Sequence, residues 1–249
     1  MRYKHVFAVC AYKDSPYLEQ CIRSLKAQTV PSHIIICTST PSSYIDRLAW
    51  KYGLQVYVRQ GESNIKDDWN FAYSMAEGEL VTIAHQDDMY HRDYSARLLA
   101  AHRRYPDMTV FTTDYVIVKQ GTLITGDAML WIKRILRTPL RFPQMNDRAW
   151  VKKLAFVLGN PICCPATTYY KAVLGEPFVR SEYSFALDWD NLVRLAEEPG
   201  RVHEDATTKA CIRDNRRFEE EREVFCRFWP EPVADIIMGF YKKAYGEYE

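Results

Sequence analysis

The strongest chemical signal in the chain is a pair of adjacent carboxylates, Asp87 and Asp88, in the tetrad His85-Gln86-Asp87-Asp88. The tetrad follows directly on Leu80-Val81-Thr82-Ile83-Ala84, an apolar run with the length and composition of a buried strand. Carboxylates are hard oxygen ligands, and a divalent cation such as Mg²⁺ or Mn²⁺ shares its coordination between carboxylate and phosphate oxygens. One Asp at the end of a strand can therefore hold a cation that bridges a diphosphate. Adjacent side chains leaving a strand point in different directions, so both acids need not be ligands. The structural alternative is that Asp88 or Asp93 caps the helix around Tyr94, Leu98 and Ala101.

The elements around the tetrad alternate. His5 to Ala11 reads as a buried strand, and Ser15-Pro16 opens a helix whose Leu18, Cys21, Ile22 and Leu25 share a face. Ile34 to Cys37 is the next strand, and Ile45, Leu48, Ala49 and Tyr52 mark the helix after it. Gln55 to Val58, then Trp69, Ala72, Tyr73 and Ala76, then Leu80 to Ala84 continue strand, helix, strand. This rhythm predicts an α/β fold with a mostly parallel sheet flanked by helices. Ligands then bind beyond the carboxyl ends of the strands, at loops 12–15, 38–43, 60–66 and 85–91. Past Thr113 the alternation weakens, and a helical stretch begins near Leu187. Neither a linker nor an internal repeat marks a second domain.

Lys and Arg total 33 against 32 for Asp and Glu, so no global field exists to grip nucleic acid. Seven scattered cysteines lack zinc or disulfide spacing and suit a reducing compartment. Cys163 and Cys164, though vicinal, fit packing better than redox or metal chemistry. The opening MRYKHVFAVCAY reaches Lys13 and Asp14 before a signal-like apolar region is complete, and no run suffices to span a bilayer. A cytoplasmic location is the expectation. The segment 131–142 carries Lys133, Arg134, Arg137 and Arg141 without an acid. It reads either as a helix with its basic face in water or as a peripheral contact with an anionic membrane. The mixed-charge run 213–227 reads as a solvated helix.

Several segments, in order across roughly residues 5 to 115, resemble the family 2 glycosyltransferases of the GT-A fold. Val9-Cys10-Ala11-Tyr12 resembles the family's opening strand, and Ser24-Leu25-Lys26-Ala27-Gln28-Thr29-Val30-Pro31 resembles its Ser-x-x-x-Gln-Thr segment. Asn70-Phe71-Ala72 falls where Arg-Asn-Ala is usual, and Glu77-Gly78-Glu79 leads into the metal-site strand. Gln86-Asp87-Asp88 is similar to a variant of the family's Asp-x-Asp-Asp. The resemblance implies a Rossmann-like nucleotide-diphospho-sugar transferase, with residues 1–115 binding the donor and 116–249 forming the acceptor side of one domain. It implies Asp87 as ligand of a donor-bound Mn²⁺ or Mg²⁺, with Asp88 supporting it or touching donor sugar or ribose. Ala11, Tyr12, Thr38, Asn70 and Gln86 would contact the nucleotide sugar. Thr38 and Ser39 stand where many members carry Asp.

Ala186-Leu187-Asp188-Trp189-Asp190 resembles the family's Glu-Asp motif, with Asp188 matching the catalytic base. A helix cap is the other reading of Asp188. The segment 160–169 resembles the stretch ahead of the base motif and is expected to floor the acceptor pocket. His203-Glu204-Asp205-Ala206-Thr207 looks like a C-terminal loop whose histidine approaches the donor diphosphate; a solvent-exposed loop histidine is the alternative. The implied activity is inverting sugar transfer to a hydroxyl of a glycan or lipid-linked acceptor, in bacterial surface polysaccharide synthesis. A nucleotidyltransferase would want a glycine-rich phosphate loop, which Ala11-Tyr12-Lys13-Asp14-Ser15 lacks. A sugar-nucleotide-binding protein with a decayed site is the remaining alternative.

Overall fold

The apolar runs form strands where the sequence places them. In a computed structural model, describing residues 2–119, 122–126, 128–213 and 219–246, the chain opens with β1 (Tyr3–Ala11), α1 (Leu18–Lys26), β2 (His33–Thr38), α2 (Ser43–Tyr52) and β3 (Gln55–Val58). There follow α3 (Ile65–Met75), β4 (Gly78–His85), β5 (Met89–Tyr90), α4 (Tyr94–Arg104), β6 (Met108–Lys119), β7 (Thr122–Ile124) and α5 (Ala128–Arg137). The remainder is α6 (Ala149–Leu154), β8 (Thr167–Tyr170), α7 (Lys171–Leu174), α8 (Leu187–Glu197), β9 (Arg201–Arg213), α9 (Glu219–Cys226) and α10 (Glu231–Gly246). Local signals set the boundaries. Ser42 and Asn64 cap α2 and α3 by accepting the N–H of Ile45 and Asp67, and Gly53 ends α2 in the left-handed conformation.

Among the described residues the strands form one sheet in the order β3-β2-β1-β4-β8-β6-β9-β5, with β7 on β6. β1 to β4 are mutually parallel, so their carboxyl ends share one edge. β8 lies antiparallel between β4 and β6 and ties the two halves of the chain into one sheet. The boundary expected at residue 115 falls inside β6. One core layer packs α1, α2 and α4 on the sheet, and the other packs α3, α8 and the C-terminal helices. No helix among the described residues is long and apolar enough to cross a membrane.

Three expectations are corrected. Residues 203–207 are strand, not loop. Val202, Glu204, Thr208, Ala210 and Ile212 are buried at even positions, and the acid among them masked the period-2 pattern. Glu204 is tolerated because Arg137 and Arg141 each reach it at 2.8 Å. Those arginines explain the second correction. In α5 and the 3₁₀ turn Thr138–Arg141 the cations point inward: Arg137 is fully buried, Lys133 is buried, and Arg134 pairs with Asp114 at 2.9 Å. The outer face of α5 is instead apolar, with Trp131, Ile132 and Ile135 exposed. Third, residues 214–218 of the mixed-charge run lie outside the described residues, and α9 beyond them buries Val224 and Phe225 rather than standing in solvent.

Candidate active site

At the end of β4 the chain turns at once, the Asp88 N–H donating to the His85 carbonyl at 3.2 Å. Gln86 ties this turn to the end of β1. Its side-chain amide exchanges two 2.9 Å hydrogen bonds with the Tyr12 backbone, as a neighbouring strand would. Asn70 repeats the device from α3, donating to the Val179 carbonyl at 2.9 Å and accepting its N–H at 3.0 Å. Both amides, expected on the donor, are thus engaged in holding backbone. Ala11 is buried at the end of β1, and Tyr12 beyond it leaves its ring 47% exposed.

Thr38, buried at the end of β2, accepts the Thr40 N–H at 3.0 Å. Ser39 donates to Asp68 at 3.0 Å, and Asp68 also pairs with Arg59 at 2.7 Å. The acid missing from this edge in the sequence therefore arrives from α3. Sequence reasoning missed it because an Asp in the first turn of a helix is explained by the helix dipole alone.

Asp87 is half-buried and Asp88 buried, with the Asp88 carboxylate 3.8 Å from His85 Nδ1. The His85 ring tilts against Trp69 at 5.0 Å, and its buried Nε2 has no hydrogen-bond partner among the described residues. Burial pushes the imidazole below its ordinary range, against the opposing charge of Asp87. The two carboxylates in one turn suit a hard cation. Among the described residues no three His, Cys, Asp or Glu side chains converge on one point. A cation at Asp87 would thus take much of its shell from donor phosphates and water.

Facing this turn is the start of α8. Glu220, from α9, accepts the N–H groups of Ser184, Phe185 and Ala186 at 2.9, 2.5 and 2.7 Å. Burial pushes the Glu220 carboxyl up, but the three donors outweigh it and hold the group below its ordinary range. Glu220 therefore fixes the backbone that leads into α8, and the N-cap residue Ala186 carries no side-chain cap. Asp188 lines a cleft of about 230 Å³ together with His85, Trp69, Lys133, Tyr115 and Asn160. Asn160 donates to its Oδ2 at 3.0 Å, and the Trp189 N–H to its Oδ1 at 2.7 Å. Asp190 turns instead into a close ion pair with Arg227. Asn160, Ile162, Cys163, Cys164 and Pro165 wall this cleft, and burial, aided by the charge of Asp188, raises the Cys164 thiol well above its ordinary range. A thiol held neutral packs rather than reacts.

His203 is not brought to the site. By strand register it lies level with Phe111, Thr168 and Thr82, so it sits three residues short of His85 along the sheet and three strands across. Its ring packs 5.1 Å from Tyr105, and burial lowers its pKa. The strand that replaced the expected loop carries it away from the carboxyl edge.

A family model for glycosyl transferase family 2 matches residues 7–159, more than half the chain. The chain belongs to glycosyl transferase family 2. No curated protein sequence matches it at a significant level. Among solved structures it is similar to the 1–349 portion of S. aureus TarS, at 16% identity and a TM-score of 0.65, covering 99% of this chain and 72% of that one. The same portion of TarS in complex with UDP-GlcNAc matches at 17% identity and 0.60, covering 99% and 73%. A mannosyltransferase from Pyrobaculum calidifontis, in complex with GDP-Man and Mn²⁺, matches at 12% and 0.63, covering 100% and 76%. These likenesses carry the GT-A fold. Family membership makes the protein a glycosyltransferase, drawing its sugar from a nucleotide sugar, and sets it apart from the nucleotidyltransferases.

Proposed function

We propose that this glycosyltransferase inverts the anomeric centre as it moves a sugar from a nucleoside diphosphate to a hydroxyl of a glycan or lipid-linked acceptor, in bacterial surface polysaccharide assembly. The observation that carries the reading is a single cleft lined at one side by His85 of the acidic turn and at the other by Asp188, on a helix whose approach is held by Glu220. Tyr12 and the Thr38 edge receive the nucleoside, with Ala11 beneath, and Gln86 and Asn70 hold the walls. Asp87 holds the cation, with Asp88 behind it. The complexes of similar proteins with UDP-GlcNAc and with GDP-Man and Mn²⁺ support a nucleotide-sugar donor and a metal.

In the step itself, Asp188 accepts the proton of the acceptor hydroxyl as its oxygen bonds to the anomeric carbon. The bond from that carbon to the diphosphate breaks, and its electron pair leaves with the diphosphate. A bound Mg²⁺ or Mn²⁺ supplies positive charge that offsets the charge on this leaving group. A membrane-borne acceptor would be met by the apolar outer face of α5, within segment 131–142, rather than by its cations.

Isothermal titration with a panel of nucleoside diphosphates, with and without Mn²⁺, tests the reading. At least one diphosphate is expected to bind the wild type in a metal-dependent way. Asp87→Asn, a neutral and poorer ligand for a hard cation, is expected to weaken that binding at least about tenfold with an unchanged melting temperature. A wild type that binds no diphosphate in the presence of metal would sink the proposal.

A further inference from the structure

The loop opposite α8 carries a side chain that addresses the Asp188 carboxylate. Asn160 is half-buried on the cleft wall, and its Oδ1 accepts the Ile162 N–H at 3.1 Å. That contact settles which end of the amide is which, because a backbone N–H requires the oxygen. The NH₂ end must then face Asp188, where it donates to Oδ2 at 3.0 Å. With the Trp189 N–H on Oδ1, each carboxylate oxygen receives a directed donor, and rotation of the carboxylate is restrained.

The loop is itself held. The buried Arg137 donates to the Pro161 carbonyl at 2.6 Å while gripping Glu204 on β9. Gly159 turns the backbone at φ +129, and a Cβ there would meet the Tyr241 ring at 3.1 Å. The support thus runs from the sheet through Arg137 and the loop to Asn160.

We infer that Asn160 is the positioning residue of the transfer reaction, fixing the Asp188 carboxylate in direction and keeping it ionised for proton acceptance. The inference rests on the reading of Asp188 as base. A donor to a carboxylate favours its charged form, so loss of the Asn160 donor raises the pH at which Asp188 becomes competent. An aimed base also works on turnover rather than on donor binding.

The test compares wild type, Asn160→Ala and Asn160→Asp. The alanine variant removes the donor; the aspartate variant is isosteric and keeps the acceptor for the Ile162 N–H but sets a second carboxylate against Asp188, so its acid limb should be displaced further. Both variants are expected to bind nucleoside diphosphate with Mn²⁺ as the wild type does, to lose about 10- to 100-fold in kcat, and to show the acid limb of their pH–rate profile displaced to higher pH. A second readout needs no activity: in the wild type, the Asn160 side-chain NH₂ resonances should shift with pH as Asp188 titrates, and this response should vanish in Asp188→Asn. An Asn160 signal indifferent to pH, or turnover and acid limb within about twofold of wild type in both variants, overturns the inference. A wild type that binds no diphosphate instead overturns the functional reading, so the two failures are distinct.

Discussion

Asp188 and Asp190 lie two positions apart on the same helix, yet their surroundings assign them different work. Asp188 faces the cleft under a directed amide, whereas Asp190 is neutralised by Arg227. Asp188→Asn is expected to fold normally and to lose turnover by roughly 10² to 10⁴, the range general-base catalysis supplies. Asp190→Asn is expected to stay within a few-fold in turnover, with about 1 kcal/mol or less of lost stability. Saturating-substrate kinetics on both decide; a larger loss at 190 than at 188 would reverse the roles. At the far end of the same strand system, His5 is buried between Ser32 and Thr82, both at 2.8 Å, and burial takes its pKa down from 6.5 to about 3. The unfolded chain therefore binds a proton below pH 6.5 that the native state refuses until about pH 3. Stability contributed by the neutral imidazole is complete above that window and falls as pH drops through it, by up to about 1.4 kcal/mol per unit. Calorimetry should show a lower melting temperature near pH 5.5 than near pH 7.5, by several degrees, and a smaller difference in His5→Asn. An equal difference in the variant would acquit His5.

Among the elements, α8 shows how a helix start is set by a partner distant in sequence. Its apolar residues Leu192, Val193, Leu195 and Ala196 are legible in the sequence, but the group that holds the backbone ahead of it is not. That group is Glu220, 34 residues beyond Ala186. Glu220→Ala should cost about 1–2 kcal/mol and lower turnover together with stability, because three N–H groups lose their acceptor just ahead of Asp188. Glu220→Gln keeps one acceptor oxygen and should lose less. Thermal melts and transfer rates measured on both check this; a stable, fully active Glu220→Ala would show that the approach to α8 needs no external acceptor.

Over the whole molecule, the arginines of segment 131–142 are consumed by two acids on the adjoining strands β6 and β9, Asp114 and Glu204. Buried charges must be paired, so the arginines turn inward and the apolar residues are left outside. If α5 touches a lipid surface, it does so through Trp131, Ile132 and Ile135. Replacing Trp131 and Ile135 by Ser is then expected to reduce co-sedimentation with lipid vesicles severalfold without changing diphosphate binding, and added salt is expected to matter little. Wild-type protein that stays in the supernatant would remove the membrane contact.

The sequence by itself determined the parallel half of the sheet, because each strand and helix there announces its period within ten residues or so. It also determined the place of the acidic turn, which follows its strand directly and cannot be elsewhere than at the carboxyl edge. It did not determine what Gln86 and Asn70 hold, where His203 lies, or which face of α5 is outward. Each of these depends on a partner far along the chain: Tyr12 for Gln86, Val179 for Asn70, Phe111 for His203, Glu204 for Arg137. Periodicity reports which residues share a face, but the occupant of the opposite face is fixed only when the sheet closes. A buried acid such as Glu204 breaks the hydrophobic pattern that would reveal its strand, and only the tertiary pairing makes its burial tolerable.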